Sequence, residues 1–367
     1  MIKPNPFTPQ SGWEPRIFGG RAEQIEHFEK TLSEAAAARA NHMVIIGQWG
    51  IGKTTLLKQF KKIAQAKGYP ASFCAISQVK ERSSTSAAVN LMTQEILNGF
   101  PQPVTEPAGA GKRLQPQVQF TQFLLALWPL LKSPLAVILL DDVQNLAAVS
   151  TVIDLLRAVL SKEEIITRTR FLFVLASTTE GWDNFVNKHD PVGRFFRRRE
   201  LIGNLTFNET QAVLESTLEQ TGVSFAPAVI AEIFRYTQGH PYELQLLASH
   251  LFEAQLQGKV GLTEWVPAFK NTLRELGKDY FESLYERASD REKEVLAVLA
   301  EAKGALAQSE IRRIMIVEKH AKNFPVANIK NFLYRLQGKG LVQRLPDGTF
   351  QILDPIFGEY ILQFQTQ

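Results

Sequence analysis

Gly47-Gln48-Trp49-Gly50-Ile51-Gly52-Lys53-Thr54-Thr55 is the stretch on which the reading of this chain turns. It is entered from the apolar run Met43-Val44-Ile45-Ile46 and left through Leu56-Leu57-Lys58-Gln59-Phe60, which predicts a strand, a glycine-rich loop and a helix in immediate succession. Successive backbone N–H groups at a helix start, with the positive end of the helix dipole behind them, bind a phosphate chain without any special side chain. Glycines at 47, 50 and 52 let the backbone approach. Lys53 can then reach the outer phosphates of a triphosphate, and the Thr54 hydroxyl is placed to ligate the magnesium ion that bridges them. The loop from Gly47 to Thr55, with Trp49, Ile51 and Thr55 included, is the expected nucleotide-contacting set.

The whole chain is too long, at 367 residues, to be one typical domain, and its 45% hydrophobic and 21% charged content is that of a soluble globular protein. A net charge of +4 permits an acidic partner but is too small to argue for one. The single cysteine, Cys74, cannot form an internal disulfide and reads as a buried strand thiol in a reducing cytoplasm. No apolar leader follows Met1, and runs such as Leu135 to Leu140 fall far short of the roughly 20 residues of a membrane span. A cytoplasmic location with no membrane partner is expected.

In chain order, residues 1–15 carry four prolines and predict an extended arm, lying on the surface or loose. Residues 16–203 then alternate helical and buried apolar patterns. A helix over Ala22 to Ala40 precedes the loop strand; Tyr69 to Val79 reads as a strand and Ser86 to Phe100 as a helix. Residues 101–117 read as an exposed loop, in which Gly109-Ala110-Gly111-Lys112-Arg113 mimics a phosphate loop but lacks the preceding strand and the hydroxyl residue. Further along, Leu135 to Leu140 and Phe171 to Ala176 are uninterrupted apolar runs between helices, hence parallel strands buried on both faces. The fold class is therefore α/β, a three-layer P-loop core with a parallel sheet and its ligand at the carboxyl ends of the strands. From Asn204 the pattern becomes helical. Residues 204–262 predict a helical lid, with Asn208 as N-cap of its first helix, and 263–288 a connecting helix. Residues 289–367 read as three helices and a hairpin across Pro346-Asp347-Gly348, a winged helix-turn-helix.

The Leu135 strand ends in Asp141-Asp142. A magnesium-bound triphosphate needs a second carboxylate contact, for which Asp141 is placed, and Asp142 can orient or deprotonate the attacking water. Ser177-Thr178-Thr179 ends the next apolar run, where Thr178 can contact the last phosphate or the water, or simply cap a turn. Arg194, Arg197, Arg198 and Arg199 supply candidates, Arg194 and Arg198 first, for stabilising charge in phosphoryl transfer, in their own or a neighbouring subunit. Gly239-His240-Pro241 is either a helix start with proline at its first position or a nucleotide contact. No His or Cys cluster has metal-ligand spacing, so magnesium through the nucleotide, on Thr54 and Asp141, is the only metal implied.

Phe18-Gly19-Gly20-Arg21, the loop Gly47 to Thr54, Leu139-Leu140-Asp141-Asp142, Gly193-Arg194 and Gly239-His240-Pro241-Tyr242 occur in this order over residues 16 to 367. Together they resemble the STAND class of AAA+ related P-loop ATPases, in particular small prokaryotic ATPases with a helical lid and a C-terminal winged helix. The resemblance implies that the phosphate-loop strand lies between an added strand and the Asp141 strand. It also implies adenine held near Phe18, Gly20 and Arg21, and His240 and Pro241 closing over ATP or ADP. Such proteins act as nucleotide-controlled switches, often oligomeric with ATP bound. AAA+ enzymes with brisk turnover usually carry glutamate where Asp142 stands, so slow hydrolysis is expected. Origin-recognition initiators share the layout. The alternative is thus an ATP-regulated DNA-binding protein, with Lys330, Asn331, Tyr334 and Arg335 on a recognition helix, Lys339 and Arg344 toward the wing, and Arg312, Arg313, Lys319 and Lys322 on phosphates; the other partner type is a protein.

Overall fold

Uninterrupted apolar runs become the centre of a parallel sheet because both of its faces are covered by helices. In the computed structural model, which describes residues 4–10, 13–37, 40–77, 84–102, 114–149, 151–188, 195–318 and 325–365, the strands are β1 (Met43–Ile46), β2 (Ala71–Ala75), β3 (Ala136–Asp141), β4 (Phe171–Ser177) and β5 (Arg198–Leu201). They pair in parallel in the order β2-β3-β4-β1-β5. Every residue of β1, β3 and β4 is buried. The flanking helices are α1 (Ala22–Ala37), α2 (Lys53–Ala66), α3 (Thr85–Asn98), α4 (Pro116–Leu131), α5 (Thr151–Leu160), α6 (Glu163–Arg168) and α7 (Thr179–Lys188). Phe28 of α1 stacks on Phe60 of α2 with ring centroids 4.0 Å apart, which fixes the helix that precedes the loop strand to the one that follows it.

The sheet corrects one expectation. β1 pairs with β4 on one side, Ile46 opposite Ser177, and with β5 on the other, Ile46 opposite Leu201; the Asp141 strand lies one place further out. The reason is burial. β4 is as apolar as β3 and takes a central place, whereas β5, Arg198-Arg199-Glu200-Leu201, alternates half-buried and exposed residues and takes the edge. This polar strand and helix α7 are elements that the sequence reading lacks.

By its internal contacts the chain divides into two units, Arg21–Gly203 and a second made of Met1–Gly20 with Asn204–Gln367. The second unit contains helices Phe207–Leu218, Pro227–Thr237, Pro241–Glu253 and Trp265–Leu276, the last running on through a π-helical turn, Gly277–Phe281, and Glu282–Tyr285. Helices Asp290–Ala302, Gln308–Arg313 and Ile329–Gly338 follow, then an antiparallel hairpin, Val342–Arg344 with Phe350–Ile352, and a helix, Pro355–Phe364, that the sequence reading lacks. One cluster of buried apolar side chains runs from Phe7 and Leu205 to Ile361. Two local expectations also change. Thr206, not Asn208, caps the first of these helices, because its hydroxyl accepts the Glu209 N–H while the Glu209 carboxylate accepts the Thr206 N–H. The arm is anchored rather than loose: Asn5 donates to the Ser249 carbonyl and the Glu253 carboxylate, and Phe7, 4% exposed, stacks on Phe225. Among the described residues no helix is long and apolar enough to cross a membrane.

Backbone constraint in the second unit is testable at two glycines. Gly239 has φ +77°, and a Cβ there would overlap the Leu205 carbonyl oxygen, so Gly239→Ala should cost on the order of 2 kcal/mol or more. Gly338 ends a helix with open space around it, so Gly338→Ala should be neutral or stabilising by up to about 1 kcal/mol. Urea unfolding of the two variants beside the parent checks both signs.

Candidate functional site

The carboxyl ends of β1, β3 and β4 lie side by side, and the residues of interest in the first unit gather there. β1 ends at Ile46, where Gly47 N–H donates to the Ser177 carbonyl (3.3 Å) and Ile46 accepts from Ile202 N–H (2.9 Å). A Cβ on Gly47 would stand 2.8 Å from Ile51 and 2.9 Å from the Ile202 carbonyl oxygen, so only glycine lets the chain turn here. Gly50 and Gly52 have φ of 74° and 94°, the left-handed region that glycine enters without strain, and α2 begins at Lys53. Lys53 is 7% exposed and its Nζ donates to the Gly47 and Gln48 carbonyls (3.0 and 2.8 Å). Burial pulls its pKa down, opposed by the charges of Asp142 and Asp141.

Asp141 ends β3 and is 2% exposed. Burial pushes its carboxyl up to about 6, the Asp142 charge pushes the same way, and the Thr54 hydroxyl, the Asp142 N–H (3.0 Å) and Lys53 pull it back. Asp142 has φ +53°, a conformation a non-glycine residue adopts at a cost, and its Oδ1 accepts from Gln144 Nε2 (2.8 Å). The other end of that amide, Gln144 Oε1, accepts from Thr178 N–H (3.2 Å). The Thr178 hydroxyl accepts the Gly181 N–H (3.1 Å), the turn-capping half of its two expected roles. Ser177 Oγ, fully buried, has no hydrogen-bond partner among the described residues.

Other expected residues fall in different surroundings. Arg21, 8% exposed, donates from Nη2 to the Ile51 carbonyl (3.1 Å) and the Gly203 carbonyl (2.8 Å), which makes it a brace of the phosphate loop. Ile51 is 2% exposed and offers a ligand only backbone, Trp49 is exposed, and Thr54 and Thr55 are half-buried. Arg198 pairs with Met43, three residues before the end of β1, and forms an ion pair with Glu34; that is roughly 10 Å along the strand from Ile46, away from the loop of its own chain. Arg197 and Arg199 are exposed. Arg194 and the loop mimic at 109–113 lie outside the described residues.

Phe18, Gly20, His240 and Pro241 belong to the second unit. There Gly20 has φ +71° and packs on Leu205, and Pro241 starts a helix whose N-cap is His240. His240 Nδ1 stands 3.6 Å from Glu243, a buried acid whose pKa is raised well above normal, first by burial and then by Asp354. Sequence reasoning misses Gln144 altogether: an amide two residues beyond a pair of acids looks like any surface glutamine, and only the meeting of two strand ends reveals it.

A glycine loop over a buried lysine, a hydroxyl strand end beside it and an acid pair one strand further out, on a five-stranded parallel sheet, are the architecture of P-loop ATPases of the AAA+ kind. Residues 18–174 match the family described as "AAA ATPase domain", a span that includes the loop and both acids and stops before Ser177. Among solved structures the chain is similar to the Walker-type ATPase of Pyrococcus abyssi (15% identity, 95% of this chain and 97% of that one, TM-score 0.66). It is also similar to the ORC2 protein of Aeropyrum pernix in ADPNP and ADP complexes (15%, 98% and 98%, 0.63) and to Cdc6p of Pyrobaculum aerophilum (16%, 97% and 97%, 0.51). At such identities the likeness is one of fold. No curated protein matches the sequence.

Burial of Asp141 predicts a pH effect in the nucleotide-free protein. A carboxyl raised from 3.8 to about 6 on folding contributes stability that is complete below about pH 4 and lost as pH rises through 6, an effect bounded at roughly 3 kcal/mol by the usual 1.4 kcal/mol per pH unit. Asp141→Asn should therefore melt higher than the parent at pH 8 and level with it at pH 4, as read by calorimetry at both pH values.

Proposed function

We propose that the chain is a magnesium-dependent ATPase, converting ATP and water to ADP and phosphate slowly, and that it works as a nucleotide-controlled switch. The observation that carries this is the meeting, in one unit, of the Gly47–Thr55 loop, its buried lysine and a buried acid whose carboxyl the Thr54 hydroxyl helps to keep charged. One carboxylate and one hydroxyl are hard oxygen donors. They suit a magnesium ion that keeps water and phosphate oxygens as its remaining ligands, and among the described residues no group of three or more His, Cys, Asp or Glu offers a closed metal cage.

In this reading Thr54 and Asp141 hold the metal, which when bound neutralises phosphate charge. The loop N–H groups bind the phosphate chain, and Lys53 exchanges the Gly47 and Gln48 carbonyls for phosphate oxygens, with no change in its own charge. Asp142 orients the attacking water and takes up its proton. Aspartate reaches one methylene less far than glutamate, which accounts for slow turnover. Support for a relay comes from Arg21. Its guanidinium holds the loop at Ile51 and also holds Gly203, and residues 20/21 and 203/204 are where the chain passes between its two units. Lys53→Ala should weaken ATP binding by at least about tenfold and Asp142→Asn should spare binding but lower turnover about 100-fold. Calorimetric titration and phosphate release measure the two; normal binding and turnover in Lys53→Ala would sink the reading.

A second reading, nucleic-acid binding through residues 289–367 as a winged helix, is favoured by one face. Tyr334 is 44% exposed, with Lys330 Nζ 5.9 Å from its ring centroid and Arg344 donating to its hydroxyl (3.4 Å). Arg335 and Lys339 instead ion-pair with Glu292, which is 1% exposed, and Lys319 and Lys322 lie outside the described residues. If duplex DNA binds, Arg344→Ala should weaken it more than Arg335→Ala, and binding should fall steeply between about 50 and 200 mM salt. Gel-shift titrations with and without ATP decide; no shift at low salt removes this reading.

A further inference from the structure

The side chain of Gln144 joins two strand ends: its Nε2 donates to Asp142 at the end of β3, and its Oε1 accepts from Thr178 N–H at the end of β4. Neither assignment is free to flip, because a carboxylate can only accept and a backbone N–H can only donate. The amide orientation is thus dictated from both sides. Room for it is built in as well. Gly181, in the first turn of α7, carries no side chain, and a Cβ there would run into the Gln144 Cβ and stand 2.8 Å from the Thr178 hydroxyl oxygen.

We propose that Gln144 is the positioning residue of hydrolysis, a role that rests on the ATPase reading above. A carboxylate that must present one oxygen to a water has to be held to within about half an ångström. Asp142, short and on a left-handed backbone, has its Oδ1 tied by Gln144, which leaves Oδ2 for the water. The same amide makes the carboxylate's aim follow the end of β4, so movement of Thr178 is passed on to Asp142. Neither bond involves the phosphate loop. Loss of Gln144 is therefore expected to show in turnover and not in nucleotide affinity.

The test uses the full chain and the substitutions Gln144→Met, Gln144→Glu and Asp142→Asn, with kcat and KM for magnesium ATP and Kd for ADP. Gln144→Met, which removes both bonds at nearly constant volume, should lower kcat about tenfold or more and leave the ADP Kd within about threefold. Gln144→Glu keeps the acceptor for Thr178 and removes the donor to Asp142, so its kcat should fall at least as far; intact ADP binding shows that either variant is folded. In the Asp142→Asn background, Gln144→Met should cause no further loss. A readout independent of turnover comes from the nucleotide-free protein: the Gln144 side-chain amide NMR pair, assigned by its absence in Gln144→Met, should shift in Asp142→Ala. A kcat within twofold of the parent in Gln144→Met while Asp142→Asn is inactive, or an amide pair unmoved in Asp142→Ala, overturns the role of Gln144 alone. A parent protein without ATPase activity, or one indifferent to Asp142→Asn, overturns the ATPase reading and the positioning role with it.

Discussion

Position 47 has no room for a side chain, and much of the first unit depends on that. The four buried residues of β1 run between β4 and β5, and where they end the chain must turn against Ile51 and the Ile202 backbone while still donating to Ser177. After that tight turn Gly50 and Gly52 take left-handed conformations and α2 starts at Lys53. The loop N–H groups, the helix start and the lysine therefore share one origin, a strand end flanked on both sides.

The turn also sets the electrostatics. Bringing Lys53 and Asp141 under cover costs each of them hydration, and each shifts toward its neutral form. The opposite charges nearby offset part of that cost, and a hydroxyl and a backbone N–H hold the acid. Such a set is unfavourable while empty of counter-charge, and in the ATPase reading proposed above a divalent cation and a polyanion would relieve it together, so that burial would be recovered as affinity.

Legibility followed burial. The loop, the runs that became β3 and β4 and the acid pair were readable because apolar continuity and glycine spacing are properties of consecutive residues. β5 was not, since Arg198 to Leu201 is a short edge strand whose pairing with β1 is decided by the sheet and not by its own composition. The order of strands escaped for the same reason: β3 and β4 look alike in sequence, and only packing decides which one lies beside β1. Thr206 displaced Asn208 as the cap because Glu209 answers it three residues on. Gln144 and the bracing role of Arg21 were illegible because each joins segments far apart in the chain: β3's end to β4's, and residue 21 to residues 51 and 203.

The anchored arm has a further consequence. With Phe7 and Asn5 fastened within the same unit as residues 204–367, the unit that carries the five-stranded sheet is an insertion: it begins at Arg21 and ends at Gly203, two residues hydrogen-bonded to each other. Its entry and exit are therefore adjacent. On the other side of the same two crossings, Gly20 packs on Leu205, so the host unit presents its own cut ends side by side. A module with adjoining ends can be exchanged between hosts, or permuted, without rebuilding either core.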